Sequence, residues 1–276
     1  MAAFAIAAKR ASGHSGTIGT LTWSISEDTL LINGAGDIED YCNPQYPPWY
    51  KYRNSFTKAK IGGSVTSVGR WAFVECSKLT SAVIGNSVAY IGESAFSGCC
   101  KLTSIIIPNS VTNIGNLAFN GCRKLTGELV IPDSVISIGY FAFFSCIELT
   151  GELIIPDSVT SIGKSAFAGC SGLTSIKISN SVTEISDRTF DGCNALTSVV
   201  IPDSVTSIKD GAFYCCRKLK QIINLATTPQ TISEDDWVFY GVSTSSVKLY
   251  VPAQSLAAYK TADIWKEFDI EANSFL

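Results

Sequence analysis

One short segment of this sequence recurs, and the recurrence decides what the chain can become. The serine of a Ser-Val pair stands at Ser64, Ser87, Ser110, Ser134, Ser158, Ser181 and Ser204, in steps of 23, 23, 24, 24, 23 and 23 residues. Self-similarity at a period in the range of about 20–50 residues is the signature of stacked-repeat architectures. The unit is well represented by Ile155-Pro156-Asp157-Ser158-Val159-Thr160-Ser161-Ile162-Gly163, followed by Ala166-Phe167, Gly169-Cys170 and Leu173-Thr174. Where the step is 24, one residue enters between the Thr and the next apolar position, as in Leu125-Thr126-Gly127-Glu128-Leu129 and Leu149-Thr150-Gly151-Glu152-Leu153. A unit that absorbs such an insertion carries a loop there.

Each column of the repeat has a physical reading. In Ser104-Ile105-Ile106-Ile107, Ile105 and Ile107 share one face. Alternating β-branched residues predict a short strand. Pro108 ends it because proline has no N–H for a ladder. Asn-Ser or Asp-Ser then supplies turn chemistry, and Val111 and Ile114 return to the core. Gly115 suits a turn, although Ser186 and Lys209 fill the same column, so left-handed backbone is not a strict requirement there. The column Phe73, Phe96, Phe119, Phe143, Phe167, Phe190 and Phe213 runs without a gap. One unit cannot bury its own Phe, Leu and Ile, whereas stacked neighbours can, along one continuous core. At about 4.8 Å between parallel strands, six steps give a strand face roughly 30 Å long.

The ends break the pattern. Thr20–Ile25 and Thr29–Asn33 alternate like strands around the turn Ser26-Glu27-Asp28, and Pro47-Pro48-Trp49-Tyr50 with Tyr52 is expected to pack on that hairpin. At the other end Val247–Pro252 reads as a last strand and Ala253–Thr261 as a short helix, with Trp265 and Phe268 sealing the core.

Composition narrows the function. Charged residues make up 16% of the chain and the net charge is -3. Without a basic excess or a Lys/Arg cluster, nucleic acid is not an expected partner. No apolar run reaches the ~18 residues of a membrane span. Met1–Arg10 is apolar with its basic pair last, whereas a secretory signal carries its charges first. The chain is then either intracellular or a mature start from which a signal has been removed.

Seven of the ten cysteines, Cys76, Cys99, Cys122, Cys146, Cys170, Cys193 and Cys216, form one repeat column. They track the Phe and Leu columns, so a row of buried, reduced thiols acting as small hydrophobes is expected. Disulfides or a metal site are the alternatives. Parallel side chains and the lack of a CxxC spacing count against them. Cys42, Cys100 and Cys215 lie off the column and are the candidates for an exposed thiol. His14, the one histidine, sits in a Ser/Gly-rich stretch, and Asp235-Asp236 and Asp37-Glu39-Asp40 read as solvated loops. No phosphate loop, nucleophile elbow or zinc-protease motif occurs, so neither catalysis nor a cofactor is expected.

The unit IPxSVTxIGxxAFxGCxxLTxI closely resembles the BspA-like, or Treponema pallidum type, leucine-rich repeat over about residues 60–226. The flanks Gly19–Gly36, Pro48–Tyr50 and Leu249–Phe268 also resemble bacterial members. The resemblance implies a repeat solenoid, mainly β with short helical or irregular turns: a right-handed leucine-rich-repeat superhelix. An N-terminal β-hairpin cap and a C-terminal strand-helix cap close it. The expected organisation is a disordered leader (1–18), a capping β region (19–60), seven repeats (61–226), and an irregular last repeat with its cap (227–276). The resemblance further implies a secreted or surface-exposed bacterial protein that binds a host-matrix or bacterial-surface protein, with glycan as a further partner class. An intracellular interaction scaffold is the alternative.

If Ile105 and Ile107 face inward, the outward rows are Ser81/Val83, Ser104/Ile106, Glu128/Val130, Glu152/Ile154, Ser175/Lys177, Ser198/Val200 and Gln221/Ile223. Six of the seven second positions are apolar. A contiguous aliphatic stripe on a surface marks an interaction site, and these residues are the expected ligand face. The competing reading is that β-branched residues stand there only because they favour strands.

Overall fold

A computed structural model describes residues 13–273, so the Ala-rich start Met1–Arg10 falls outside the described residues. These residues wind into a β-solenoid of about nine turns with little helix. The periodic columns build its interior: Leu79, Leu102, Leu125, Leu149, Leu173, Leu196 and Leu219 are buried, and so are all seven Phe and all seven column Cys. Each Phe ring stacks on the next, with centroids 4.9 Å apart for Phe73–Phe96 and 5.4 Å for Phe143–Phe167. The stack continues through Phe213 to Phe239, one turn beyond the regular repeats.

The chain enters as an antiparallel meander of β1 (His14–Ile18), β2 (Leu21–Ser26) and β3 (Thr29–Gly34), and β3 then pairs in parallel with Lys58–Ile61. Residues 14–18 therefore do not belong to an unstructured leader. His-Ser-Gly-Thr-Ile carries no alternating pattern, but an edge strand needs only a partner's backbone, which β2 supplies. Trp49 is fully buried and donates its indole N–H to the Ala72 carbonyl at 2.7 Å, closing the first turn.

Two parallel ladders run along the solenoid. The wide ladder holds Lys58–Ile61, Ser81–Val83 and Ser104–Ile106, then resumes with Gly151–Ile154, Leu173–Lys177, Ser198–Ile201, Gln221–Asn224, Lys248–Val251 and Asp269–Ala272. It breaks at Glu128–Ile131, where the bridge Gly127–Leu149 and the bonds Thr126 N–H to Thr103 O, Thr126 hydroxyl to Thr103 O and Thr150 N–H to Gly127 O span the gap. The break falls at the one-residue insertions, where Gly127 and Gly151 have φ of +81° and +80°. A narrow second ladder, which the sequence pattern did not announce, joins Gly36–Ile38, Val65–Val68, Tyr90–Ile91, Asn113–Ile114, Ser137–Ile138 and Ser161–Ile162. From Tyr90–Ile91 onward it has two residues per turn, too few to show a period.

At the C-terminal end, Leu256–Tyr259 forms one α-helical turn, and Trp265 and Phe268 are buried. Lys248–Val251 is not the final strand: Asp269–Ala272 pairs outside it. Acidic side chains disguise that strand in the sequence. Lys248 bridges to Asp269 at 2.7 Å and also to Glu271, and this pairing supports the added strand.

Candidate functional site

The wide ladder places the second position of each row in one file. Lys60 registers with Val83 and Val83 with Ile106; beyond the gap, Ile154 registers with Lys177, Lys177 with Val200, Val200 with Ile223 and Ile223 with Tyr250. Side chains alternate across a strand, so the residue between each pair, such as Ala82, Leu153 or Val199, points inward and is buried. Ile105 is only half-buried, next to the break in the ladder, while Ile107 is buried as expected.

Exposure along the file is uneven. Val83, Ile106, Val130 and Ile154 are 58%, 80%, 74% and 51% exposed, whereas Val200 and Ile223 are half-buried. Ile223 has the Tyr250 ring beside it in register. The apolar surface is thus concentrated in four consecutive rows, bracketed by exposed Lys60 and Lys177. Among first positions, Ser104, Glu128 and Glu152 are exposed, and Ser175, Ser198 and Gln221 are half-buried. Glu128, Val130, Glu152 and Ile154 line a cleft of about 240 Å³ at the break. Beside the strands, Thr80, Thr103, Thr126, Thr174 and Thr197 each donate their hydroxyl to a backbone carbonyl of the preceding turn. That ladder of hydrogen bonds stiffens the frame under the apolar file.

The cysteines have a structural account. The Sγ–H of Cys99, Cys122, Cys146, Cys170, Cys193 and Cys216 donates to the Phe carbonyl of the preceding turn at 3.2–3.5 Å. That carbonyl also accepts the N–H of the cysteine in its own turn, as Phe73 does from Cys76. A thiol is small enough for the core and supplies a weak donor for the second lone pair. All ten thiols are free. Burial pushes the Cys76 thiol up to about 12 and holds the other column thiols well above the usual range, which removes the thiolate that nucleophilic or ligating chemistry needs. Cys42 is exposed, and Cys100 and Cys215 are half-buried.

The remaining polar candidates serve local structure. His14 stacks on Tyr52 with centroids 3.8 Å apart. Asp37 accepts from the Thr66 hydroxyl, which holds its carboxyl below the usual range, and Asp236 caps its own turn by accepting from Ser233 N–H. Among the described residues no group of three His, Cys, Asp or Glu is placed to hold a metal ion, and no helix is long and apolar enough to cross a membrane.

One exposed group went unmarked in the sequence. Trp237 and Tyr240 are 52% and 56% exposed and stack on Tyr214. The signal was present: Val238-Phe239-Tyr240-Gly241 aligns with the Ala-Phe-x-Gly of the repeat.

The family described as the BspA type leucine rich repeat region matches residues 48–151 and 126–248, in six copies. No curated protein sequence matches the chain. Among solved structures, the chain is similar to a leucine rich repeat protein of T. pallidum, at 27% identity over 72% of this chain and 88% of that one, with a TM-score of 0.56. A leucine-rich repeat protein from Eubacterium ventriosum is 18% identical over 96% of this chain and 98% of that one, with a TM-score of 0.37. A leucine rich cell surface protein from Faecalibacterium prausnitzii is 20% identical over 89% and 97%, with a TM-score of 0.33.

Proposed function

The chain belongs to the BspA type leucine-rich repeat family, and from that premise we propose that it is a non-catalytic protein-binding module whose ligand face is the wide strand ladder. The observation that carries this is the exposed file Val83, Ile106, Val130 and Ile154, four consecutive rows that are 51–80% exposed above buried Leu, Phe and Cys columns. Aliphatic surface left in water on adjacent turns is a standing gain of about 25 cal/mol per Å² for whatever covers it. Glu128 and Glu152 lie beside the file, and Lys60 and Lys177 lie at its ends. A fitting partner presents apolar side chains to the centre, basic groups to the two glutamates and acidic groups to the flanks. Ser104, Ser175, Lys177, Ser198, Val200, Gln221 and Ile223 form the polar and half-buried margin. Such a margin excludes water around a central cluster.

Triple substitution Ile106→Glu/Val130→Glu/Ile154→Glu keeps the core intact, because all three side chains are exposed. Capture of proteins from host-matrix and bacterial-surface extracts is expected to fall at least about tenfold, the equivalent of roughly 1.4 kcal/mol. Undiminished capture by the triple variant rejects the strand face as the site.

Members of this family are often surface-associated, and the proposed location is the cell surface or the medium. An intracellular scaffold using the same face draws support from the ten free thiols. Seven of these are buried and insensitive to compartment, so only Cys42, Cys100 and Cys215 bear on the choice. Fractionation of the source cells is expected to find the protein with surface or secreted material; recovery in the cytosol alone rejects that location.

A further inference from the structure

From the aromatic group at the C-terminal end we infer a second binding site, separate from the strand face, that takes the pyranose rings of a neutral oligosaccharide. Two repeat columns flank the buried Phe, one two residues before it and one directly after. Along the solenoid these columns hold Ser94 and Ser97, Leu117 and Asn120, Ser165 and Ala168. The fold therefore has no need of rings at these positions. Phe141 and Phe144 share the columns and are half-buried, whereas Trp237 and Tyr240 stand more than half exposed.

The rings form a platform. Tyr214 and Tyr240 stack with centroids 4.9 Å apart at 14°, Trp237 and Tyr240 lie 5.5 Å apart at 23°, and Tyr214 and Trp237 lie 6.4 Å apart at 15°. The Arg188 guanidinium lies 5.5 Å from the centre of the Tyr214 ring. Trp237 and Tyr240 face a cavity of about 420 Å³ whose other walls include Ser233, Thr244, Ile264 and Glu267. A ladder of flat groups thus ends at a cavity of the size that takes small ligands.

Geometry and rim chemistry select the ligand. Near-parallel rings stacked on one another, with centroids 4.9–6.4 Å apart, do not surround a space as the walls of an aromatic cage do. The Glu267 carboxylate is an acceptor, and the Ser233 and Thr244 hydroxyls both donate and accept. A polyproline segment also stacks on aromatic rings, but its proline residues have no N–H to donate to a carboxylate. A pyranose satisfies both demands: its C–H face lies flat on the rings and its hydroxyls donate to Glu267.

Ligand-observed NMR with three probes, the hexamers of β-1,4-glucose, α-1,4-glucose and β-1,4-N-acetylglucosamine, tests the site. At least one hexamer is expected to bind wild type with a dissociation constant near about 1 mM, and Trp237→Ala and Tyr240→Ala are each expected to weaken it tenfold or more. Both side chains are exposed, so circular dichroism should be unchanged, and Glu267→Gln should weaken binding while leaving the platform whole. The strand-face triple variant should bind the hexamer as wild type does, which keeps the two sites distinguishable. The inference is overturned if no hexamer binds, if binding survives both ring substitutions, or if decaproline binds at these rings and the hexamers do not.

Discussion

Phe143→Ala is expected to lower the unfolding free energy by about 3–5 kcal/mol, the range for emptying a fully buried aromatic site. Phe143 has no exposed surface and lies between Phe119, 5.1 Å away, and Phe167, 5.4 Å away. Aromatic pairs add roughly 0.5–1.5 kcal/mol beyond area burial, and the substitution removes two at once. Position sharpens the effect. The Phe119–Phe143 junction is where the wide ladder is broken at Glu128–Ile131, so the ring stack, the narrow ladder and the turn-side bonds such as Phe119 N–H to Ala142 O carry the continuity there. In a solenoid, stability is a sum of unit and nearest-neighbour terms. Weakening this junction should let the N-terminal and C-terminal halves unfold separately. Urea denaturation followed by circular dichroism should show an earlier and broader transition for Phe143→Ala, with a lower apparent m-value. A loss under about 1 kcal/mol with an unchanged slope would show that the stack does not couple the turns.

What could be read from the sequence followed from repetition. Leu, Ile, Phe and Cys recur at fixed offsets seven times, and each column is buried because every turn faces the same neighbours. The orientation of Ile106 and Val130 also followed, since strand parity leaves only two choices. Their degree of exposure did not. Val200 and Ile106 occupy the same column, but one is half-buried and the other 80% exposed. That difference depends on the residues beside them on adjacent turns and on a ladder gap set by Gly127 and Gly151. Backbone conformation was hidden too. Ser94, Leu117, Phe141, Ser165 and Arg188 share a left-handed φ of 52–57°, and nothing in their chemistry unites them. The stacked turns impose that conformation, so it has no composition of its own. Nor did His-Ser-Gly-Thr-Ile or Asp-Ile-Glu-Ala announce an edge strand, because in each the partner's backbone, not the strand's own pattern, does the ordering.

The glycine of the Ile-Gly pair, read from the sequence as a turn residue, instead marks where turns touch, and Gly115→Ala should be the more damaging of two matched substitutions. A Cβ at Gly115 would lie 2.7 Å from the Gly92 carbonyl carbon and 2.8 Å from Glu93 N, whereas one at Gly121 would have nothing nearer than 3.9 Å despite its φ of +72°. Gly121→Ala therefore costs the left-handed penalty alone, roughly 1–2 kcal/mol. Gly115→Ala adds overpacking of about 1–3 kcal/mol and endangers the bond from Gly115 N–H to Ile91 O at 2.7 Å, worth about 1 kcal/mol. The protein already contains this substitution. Ser186 stands in the Gly115 column, and there the Ile162 carbonyl accepts from the serine hydroxyl at 2.9 Å, where Gly163 and Lys209 use their backbone N–H for the equivalent bond. The narrow ladder breaks at the same place, between Ser161–Ile162 and Glu184–Ile185. At Ser186 the backbone bond is lost and the hydroxyl repairs part of it, whereas at Lys209, whose neighbour below is Ser186, the backbone bond and the ladder both persist. Gly115→Ala is expected to cost about 2–4 kcal/mol by addition of the overpacking and hydrogen-bond figures. Gly115→Ser should cost less than Gly115→Ala, because its hydroxyl can reach Ile91 O as Ser186 reaches Ile162 O. Thermal or urea midpoints for the three variants give the ranking directly. If Gly115→Ala is no worse than Gly121→Ala, close approach of the turns is not what holds glycine in that column.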